Sequence, residues 1–189
     1  MEDVLRVFLA VDFPDGDAKR RVIKVQESLF ETDADIKPVE PENLHITLRF
    51  LGEIEKDLVE RVKVELTKIS FQPFNVLFEG VGVFPDLKRI NVVWIGIVEG
   101  NVELLDLYGK INQALARCGL PPERRGFSPH LTIARVRSRK NIEKLSRRVV
   151  ELRDLKVGGF VVDSFKLKKS TLTPRGPIYN TLLEVPALK

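Results

Sequence analysis

Apolar residues along this chain recur with two different periods, and the two alternate from one end to the other. Runs rich in β-branched and aromatic residues give way to stretches with an apolar residue every three or four positions, punctuated by Gly and Pro. A chain patterned this way must build sheet and helix around a shared core, which predicts an α+β fold. Residues 4–13 (VLRVFLAVDF), closed by Pro14, Asp15 and Gly16, read as a buried strand and a turn. Asp17 stands where it can cap a helix whose Ala18, Val22, Val25 and Leu29 share one face. After a polar loop with Pro38 and Pro41, residues 44–51 (LHITLRFL) alternate strictly. Leu44, Ile46, Leu48 and Phe50 then occupy one face of a strand, and His45, Thr47 and Arg49 the other.

Gly52 should end that strand, and a helix is predicted over about 56–69 with Leu58, Val62, Leu66 and Ile69 on its stripe. Strands follow around 74–84 and 91–98, joined by a loop containing Pro85 and Asp86. A helix over 101–118 has Asn101 as its N-cap and Gly119 with two prolines as its stop. Residues 130–136 (HLTIARV) read as a strand, 141–152 as a basic amphipathic helix, and 160–167 and 178–185 as strands around a Pro- and Gly-rich turn at 173–177. The succession suggests two similar lobes within one domain spanning residues 1–189.

The chain's 189 residues suffice for a sizeable core. No uncharged apolar stretch approaches the roughly 18 residues that a membrane helix requires. The first residues are acidic rather than a basic leader, so the expectation is a cytoplasmic protein without a membrane partner. Its single cysteine, Cys118, precludes an internal disulfide and a multi-cysteine metal site. One Cys, one Met and a charged fraction of 31% match the thermophile pattern of ion-pair networks and few labile side chains.

The chain has only two histidines, and both stand in the same local pattern, His45-Ile46-Thr47-Leu48 and His130-Leu131-Thr132-Ile133. With seven threonines in the whole chain, coincidence is a poor account of the repeat. On a strand, positions i and i+2 point the same way, so each segment presents an imidazole beside a hydroxyl. Two imidazoles flanking one point can divide general base and general acid duties near neutrality. Hydroxyl donors beside them suit anionic oxygens, which favours displacement at phosphorus over peptide or glycoside chemistry. Neither histidine has a Ser or Cys nucleophile close in sequence, and no HExxH pattern or second good ligand supports a metal, so no cofactor is expected.

Residues 117–153 hold eleven Lys and Arg against three Glu, while the whole chain carries only +4. This basic window brackets the second histidine, with Arg124, Arg125, Arg135, Arg137, Arg139 and Lys140 nearest, as a funnel for RNA or a nucleotide requires. Strict alternation puts Arg135 on the face opposite His130, so its approach to the site needs a bulge. Arg49 shares the face of His45 and Thr47 and faces no such difficulty.

The repeated His-x-Thr-x pair resembles the signature of the two-histidine (2H) phosphoesterase superfamily. LHITLRFLGE, the GVGVFP segment followed by NVVWIGI, FSPHLTIARV and the tail GPIYNTLLEVP resemble the archaeal and bacterial RNA 2′,3′-cyclic phosphodiesterases, also called 2′-5′ RNA ligases. The resemblance implies a bilobal α+β fold with two antiparallel sheets facing across a central cleft and helices outside. It implies metal-free hydrolysis of a terminal 2′,3′-cyclic phosphate to a 2′-phosphomonoester, and in some relatives ATP-independent 2′-5′ joining of tRNA halves; a monomer is expected separately. Carried over, His45 is the proton donor and His130 the proton acceptor, with Thr47, Thr132 and Arg135 contacting substrate; Arg49 joins the substrate contacts from strand parity alone. The alternatives are a module that binds a nucleotide or RNA end without turnover, and a superfamily member acting on a small cyclic nucleotide or 2′-5′ oligoadenylate.

Overall fold

The computed structural model describes residues 4–123, 126–174 and 176–189. In chain order the elements are β1 (Val4–Asp12), α1 (Asp17–Phe30), β2 (Ile36–Pro38), a 3₁₀ turn (Pro41–Asn43), β3 (His45–Glu55), α2 (Lys56–Leu66), β4 (Phe74–Asp86), β5 (Arg89–Glu99), α3 (Asn101–Arg117), β6 (His130–Val136), α4 (Ile142–Glu151), β7 (Lys156–Val162), β8 (Ser164–Thr173) and β9 (Gly176–Pro186). The apolar stripes read from sequence are the faces that the helices bury: Val22, Val25 and Leu29 in α1, Val62 and Leu66 in α2. Two helix starts differ from expectation. Gly16, not Asp17, is the N-cap of α1, and Asp17 instead pairs with Arg20 one turn on. Gly100 likewise caps α3 from a left-handed conformation, while the Asn101 side chain donates back to the Ile97 carbonyl at 2.8 Å.

All strands pair antiparallel in the order β7-β4-β5-β6-β3-β1-β8-β9, with β2 added against β6. The pairing is uneven. β4 and β5 form a long hairpin that runs through Pro85 and Asp86 to a two-residue turn, where the Asp86 carboxylate accepts the backbone N–H groups of Lys88 and Arg89 at 2.8 and 3.0 Å. β3 and β6, by contrast, share one residue pair, Ile46 opposite Leu131. The sheet therefore consists of two antiparallel halves joined at a single point, and they diverge on either side of it to leave a central cleft.

Helices cover the outer faces in a crossed arrangement. α2 and α3 pack on each other and behind β1 and β3, whereas α1, which follows β1 directly, crosses to the other half and packs with α4 behind β4 to β7. Buried Gln26 of α1 fastens this crossing: its amide donates to the carbonyls of Val39 and Ile133, each at 2.8 Å. A buried polar side chain held by two partners fixes where helix and strand meet, which apolar contact alone does not. β1 is buried on both faces from Val7 to Val11, with Val7, Leu9 and Val11 in the core beneath the helices.

Candidate active site

Both histidines stand at the first residue of a strand, and the two strands meet at Ile46 and Leu131, whose side chains are fully buried. Antiparallel register about that pair sets His45 across from Thr132 and Thr47 across from His130. The four polar side chains thus occupy the corners of a quadrilateral with the imidazoles on a diagonal. Each ring is anchored in the same way. Nδ1 of His45 lies 2.7 Å from the Asn43 carbonyl and Nδ1 of His130 lies 2.7 Å from the Ser128 carbonyl. A carbonyl oxygen only accepts, so Nδ1 carries the proton in both rings and Nε2 is left for chemistry. Nε2 of His45 lies 3.0 Å from the Thr47 hydroxyl.

Each strand carries a bulge immediately after its threonine. Against β1, Leu9 pairs with Arg49 and Ala10 with Thr47, which leaves Leu48 as the extra residue; against β5, Val93 pairs with Ala134 and Trp94 with Thr132, which leaves Ile133. A bulge breaks the two-residue alternation. In β3 both Leu48 and Arg49 turn inward, and in β6 both Ile133 and Ala134 do so. The fifth residue after each histidine consequently returns to the cleft, Phe50 in one strand and Arg135 in the other.

This decides the fate of the two predicted arginines. Arg135 lines the cleft through the bulge that strand parity required. Arg49 does not face the cleft, contrary to the reading from alternation. It is 6% exposed, its guanidinium donates to the Pro121 carbonyl, and it lies 3.7 Å from the Glu123 carboxylate. It thereby ties β3 to the segment that leads into His130. Arg124 and Arg125 fall outside the described residues.

A cavity of about 480 Å³ opens over the site, a size that suits a small-molecule ligand. His45, Thr47, Phe50, Thr132 and Arg135 line it, between the segment Lys37 to Asn43 on one side and Gly176 to Tyr179 on the other. His130 stands beside this cavity rather than in its wall, two residues from Thr132 on the same strand face. Its ring packs edge-on to Phe84 at 5.0 Å and lies 6.2 Å from Trp94. Gly82 makes that packing possible, because a Cβ there would overlap the Trp94 indole.

His45 sits in different surroundings. Its ring lies 5.2 Å from Phe8 and meets Tyr179 edge-on at 5.5 Å. Burial pushes its imidazole below the usual range; Lys168 and Arg135 add to that, while the bond to the Asn43 carbonyl and the charge of Asp12 oppose it. Asp12 pairs with His45 across β1 and β3 and accepts from Lys166 at 2.9 Å and Lys168 at 2.5 Å. Burial alone would raise the Asp12 carboxyl, but the two lysines outweigh it and hold it low. Tyr179 is a site residue that sequence reasoning misses, although it stands in the tail that carries the family resemblance. Burial pushes its phenol up, so it faces the cleft as a neutral hydroxyl. Asn43 gives no signal in the sequence either, because it serves through its backbone carbonyl. Among the described residues no group of three or more His, Cys, Asp or Glu side chains is placed to hold a metal ion.

His45, two threonine hydroxyls and one guanidinium line the cavity, with His130 beside it on the strand of Thr132, a set suited to a tetrahedral anion with one proton to accept and one to donate. Comparison with known proteins agrees with this geometry. The model of the LigT-like phosphoesterases matches residues 13–94 and again residues 95–179, one copy around each histidine. An RNA 2′,3′-cyclic phosphodiesterase of Methanocaldococcus jannaschii is 40% identical over 95% of this chain and 99% of its own. A protein of the same name from Methanothermobacter thermautotrophicus is 39% identical over 94% of this chain and 96% of its own. In fold, the chain is similar to apo LigT of E. coli, with a TM-score of 0.80 at 24% identity and complete coverage of both chains. With one copy of the family pattern in each half and the same histidine strand at the centre of both, the chain belongs to the LigT-like phosphoesterase family.

Proposed function

We propose that this protein is an RNA 2′,3′-cyclic phosphodiesterase that opens a terminal cyclic phosphate to a 2′-phosphomonoester. The observation that carries the reading is the diagonal pair of histidines, each with Nδ1–H donated to a carbonyl two residues earlier and Nε2 left for chemistry. The close relatives bearing this name support the substrate class.

In the proposed reaction Nε2 of His130 takes a proton from water as the water oxygen attacks phosphorus. The bond from phosphorus to O3′ breaks, and Nε2 of His45 delivers its proton to the departing O3′. The hydroxyls of Thr47 and Thr132 and the guanidinium of Arg135 bind the non-bridging oxygens, where charge accumulates. His45 must be protonated before it can donate. Burial, Lys168 and Arg135 disfavour that in the empty cleft, and the negative charge of a bound cyclic phosphate restores it. Acid, base and positive charge are then all supplied by side chains, so the step needs no metal. A 5′-hydroxyl in place of water would yield a 2′-5′ linkage by the same route without ATP, which is the joining of tRNA halves. The reading is of a cytoplasmic monomer; among the described residues no helix is long and apolar enough to cross a membrane.

The test is a short RNA ending in a 2′,3′-cyclic phosphate, incubated with the protein in excess chelator beside His45→Ala and His130→Ala. A 2′-phosphate product from the wild type is expected, with each variant slower by about 10²- to 10⁴-fold. Binding without turnover by the wild type would overturn the reading in favour of a non-catalytic module.

A further inference from the structure

Positive charge does not stop at the cleft. Two residues beyond Arg135 the chain remains extended, since the Arg137 N–H donates to the Asp35 carbonyl at 2.8 Å and prolongs the β2–β6 pairing. There a second concavity, of about 260 Å³, opens between this segment and the tip of the β4–β5 hairpin. Lys88, Arg89, Arg137 and Arg139 line it, with Asn91 among them. Among the described residues none of these four cations has a carboxylate partner. This sets them apart from neighbours whose charge is already answered: Lys140 is held by Asp33, Arg148 by Glu31 and Glu151, and Lys166 and Lys168 by Asp12. Asp86, the acid nearest in sequence to the hairpin tip, is engaged by the backbone N–H groups of Lys88 and Arg89.

We propose that this groove is a subsite for the RNA backbone, in which the phosphates preceding the reactive end run from Arg135 past Arg137 and Arg139 to Lys88 and Arg89. The proposal rests on the RNA phosphodiesterase reading above. Four unanswered cations select a polyanion over a neutral or singly charged ligand. Arg135, two residues before Arg137 along the same extended segment, lines the catalytic cavity and so gives that polyanion its starting point at the reacting phosphate. The spacing is suitable too: two residues of extended chain span about 6.8 Å, comparable to the step between successive phosphates of an extended strand. A mononucleoside cyclic phosphate would fill the catalytic cavity and leave the groove empty, so the groove confers a preference for chains over mononucleotides.

The experiment compares kcat/KM on an RNA of about ten nucleotides ending in a cyclic phosphate with that on a mononucleoside 2′,3′-cyclic phosphate, across a salt series. It uses the wild type and the quadruple variant Lys88→Ala, Arg89→Ala, Arg137→Ala, Arg139→Ala. The expected result is that the advantage of the long RNA falls at least tenfold in the variant. Its log–log salt slope should shrink by about 3, since each phosphate of a single strand that is no longer neutralised removes roughly 0.7. An unaltered ratio and slope would overturn the groove, and turnover of the mononucleotide by the variant reports that the variant is folded. Should the wild type turn over neither substrate, the phosphodiesterase reading itself fails. Fluorescence anisotropy with the same RNA lacking a cyclic phosphate then tests the groove alone, and equal affinities of wild type and variant would overturn it.

Discussion

His45 and His130 begin the same motif on the same kind of strand, with the same carbonyl anchor at Nδ1 and the same bulge after the threonine, yet their neighbourhoods share little. His45 is packed between Phe8 and Tyr179, backed by the Asp12, Lys166 and Lys168 cluster, and its strand returns to the cleft with Phe50. His130 is more open, rests on Phe84 and Trp94, and its strand returns with Arg135. The difference teaches how a duplicated motif acquires two jobs. In the reading proposed above, identical side chains take the two roles of donor and acceptor in surroundings that differ in burial and neighbouring charge. In the proposed reaction the buried imidazole, which holds a proton weakly, gives one up, and the open one receives a proton from water.

That comparison can be sharpened first at the residues that return to the cleft. Arg135→Ala should lower kcat/KM by about tenfold to a hundredfold, the value of hydrogen bonds to a charged group of about 1.5–3 kcal/mol. Phe50→Leu, its counterpart, should cost much less, and equal losses would mean that the two strands contribute alike. Next comes Arg49→Met, which removes a buried guanidinium from the Pro121 carbonyl. Denaturant melts should show a loss of about 1–3 kcal/mol, with KM raised less than by Arg135→Ala. A KM increase as large as that of Arg135→Ala would return Arg49 to the substrate contacts.

The smallest effect concerns pH. The folded pKa of His45 lies below its unfolded value of about 6.5. The stability linked to its neutral ring is therefore complete above that pH and is lost as pH falls towards the folded value. Between about pH 7.5 and pH 5 the wild type should lose more stability than His45→Gln in urea melts. Parallel losses would show that the surroundings of His45 do not disfavour its charged form.

Much of this is legible in the chain. The two-residue and 3.6-residue periods mark the principal strands and the four helices, and the repeated His-x-Thr pair points to the strands at the centre of the cleft. What is not legible depends on partners remote in sequence. LHITLRFL alternates without interruption, and nothing within it announces a bulge, which arises only because β1 pairs with it in a shifted register. Alternation accordingly assigns Arg49 and Phe50 to the wrong faces. The stripe of α1 shows that a face is buried but not against what, so its crossing to the far half of the sheet has no sequence signal. Tyr179 reaches His45 because β9 lies beside β8 and β8 beside β1, a neighbourhood set by sheet order.

The division of labour between the two histidines is tested most directly with a cyclic phosphate whose 3′ bridging oxygen is replaced by sulfur. A thiolate departs without a proton donor, so the account predicts that His45→Ala recovers most of its lost rate on this substrate while His130→Ala stays slow. Rescue of His130→Ala instead, or equal rescue of both, would contradict it.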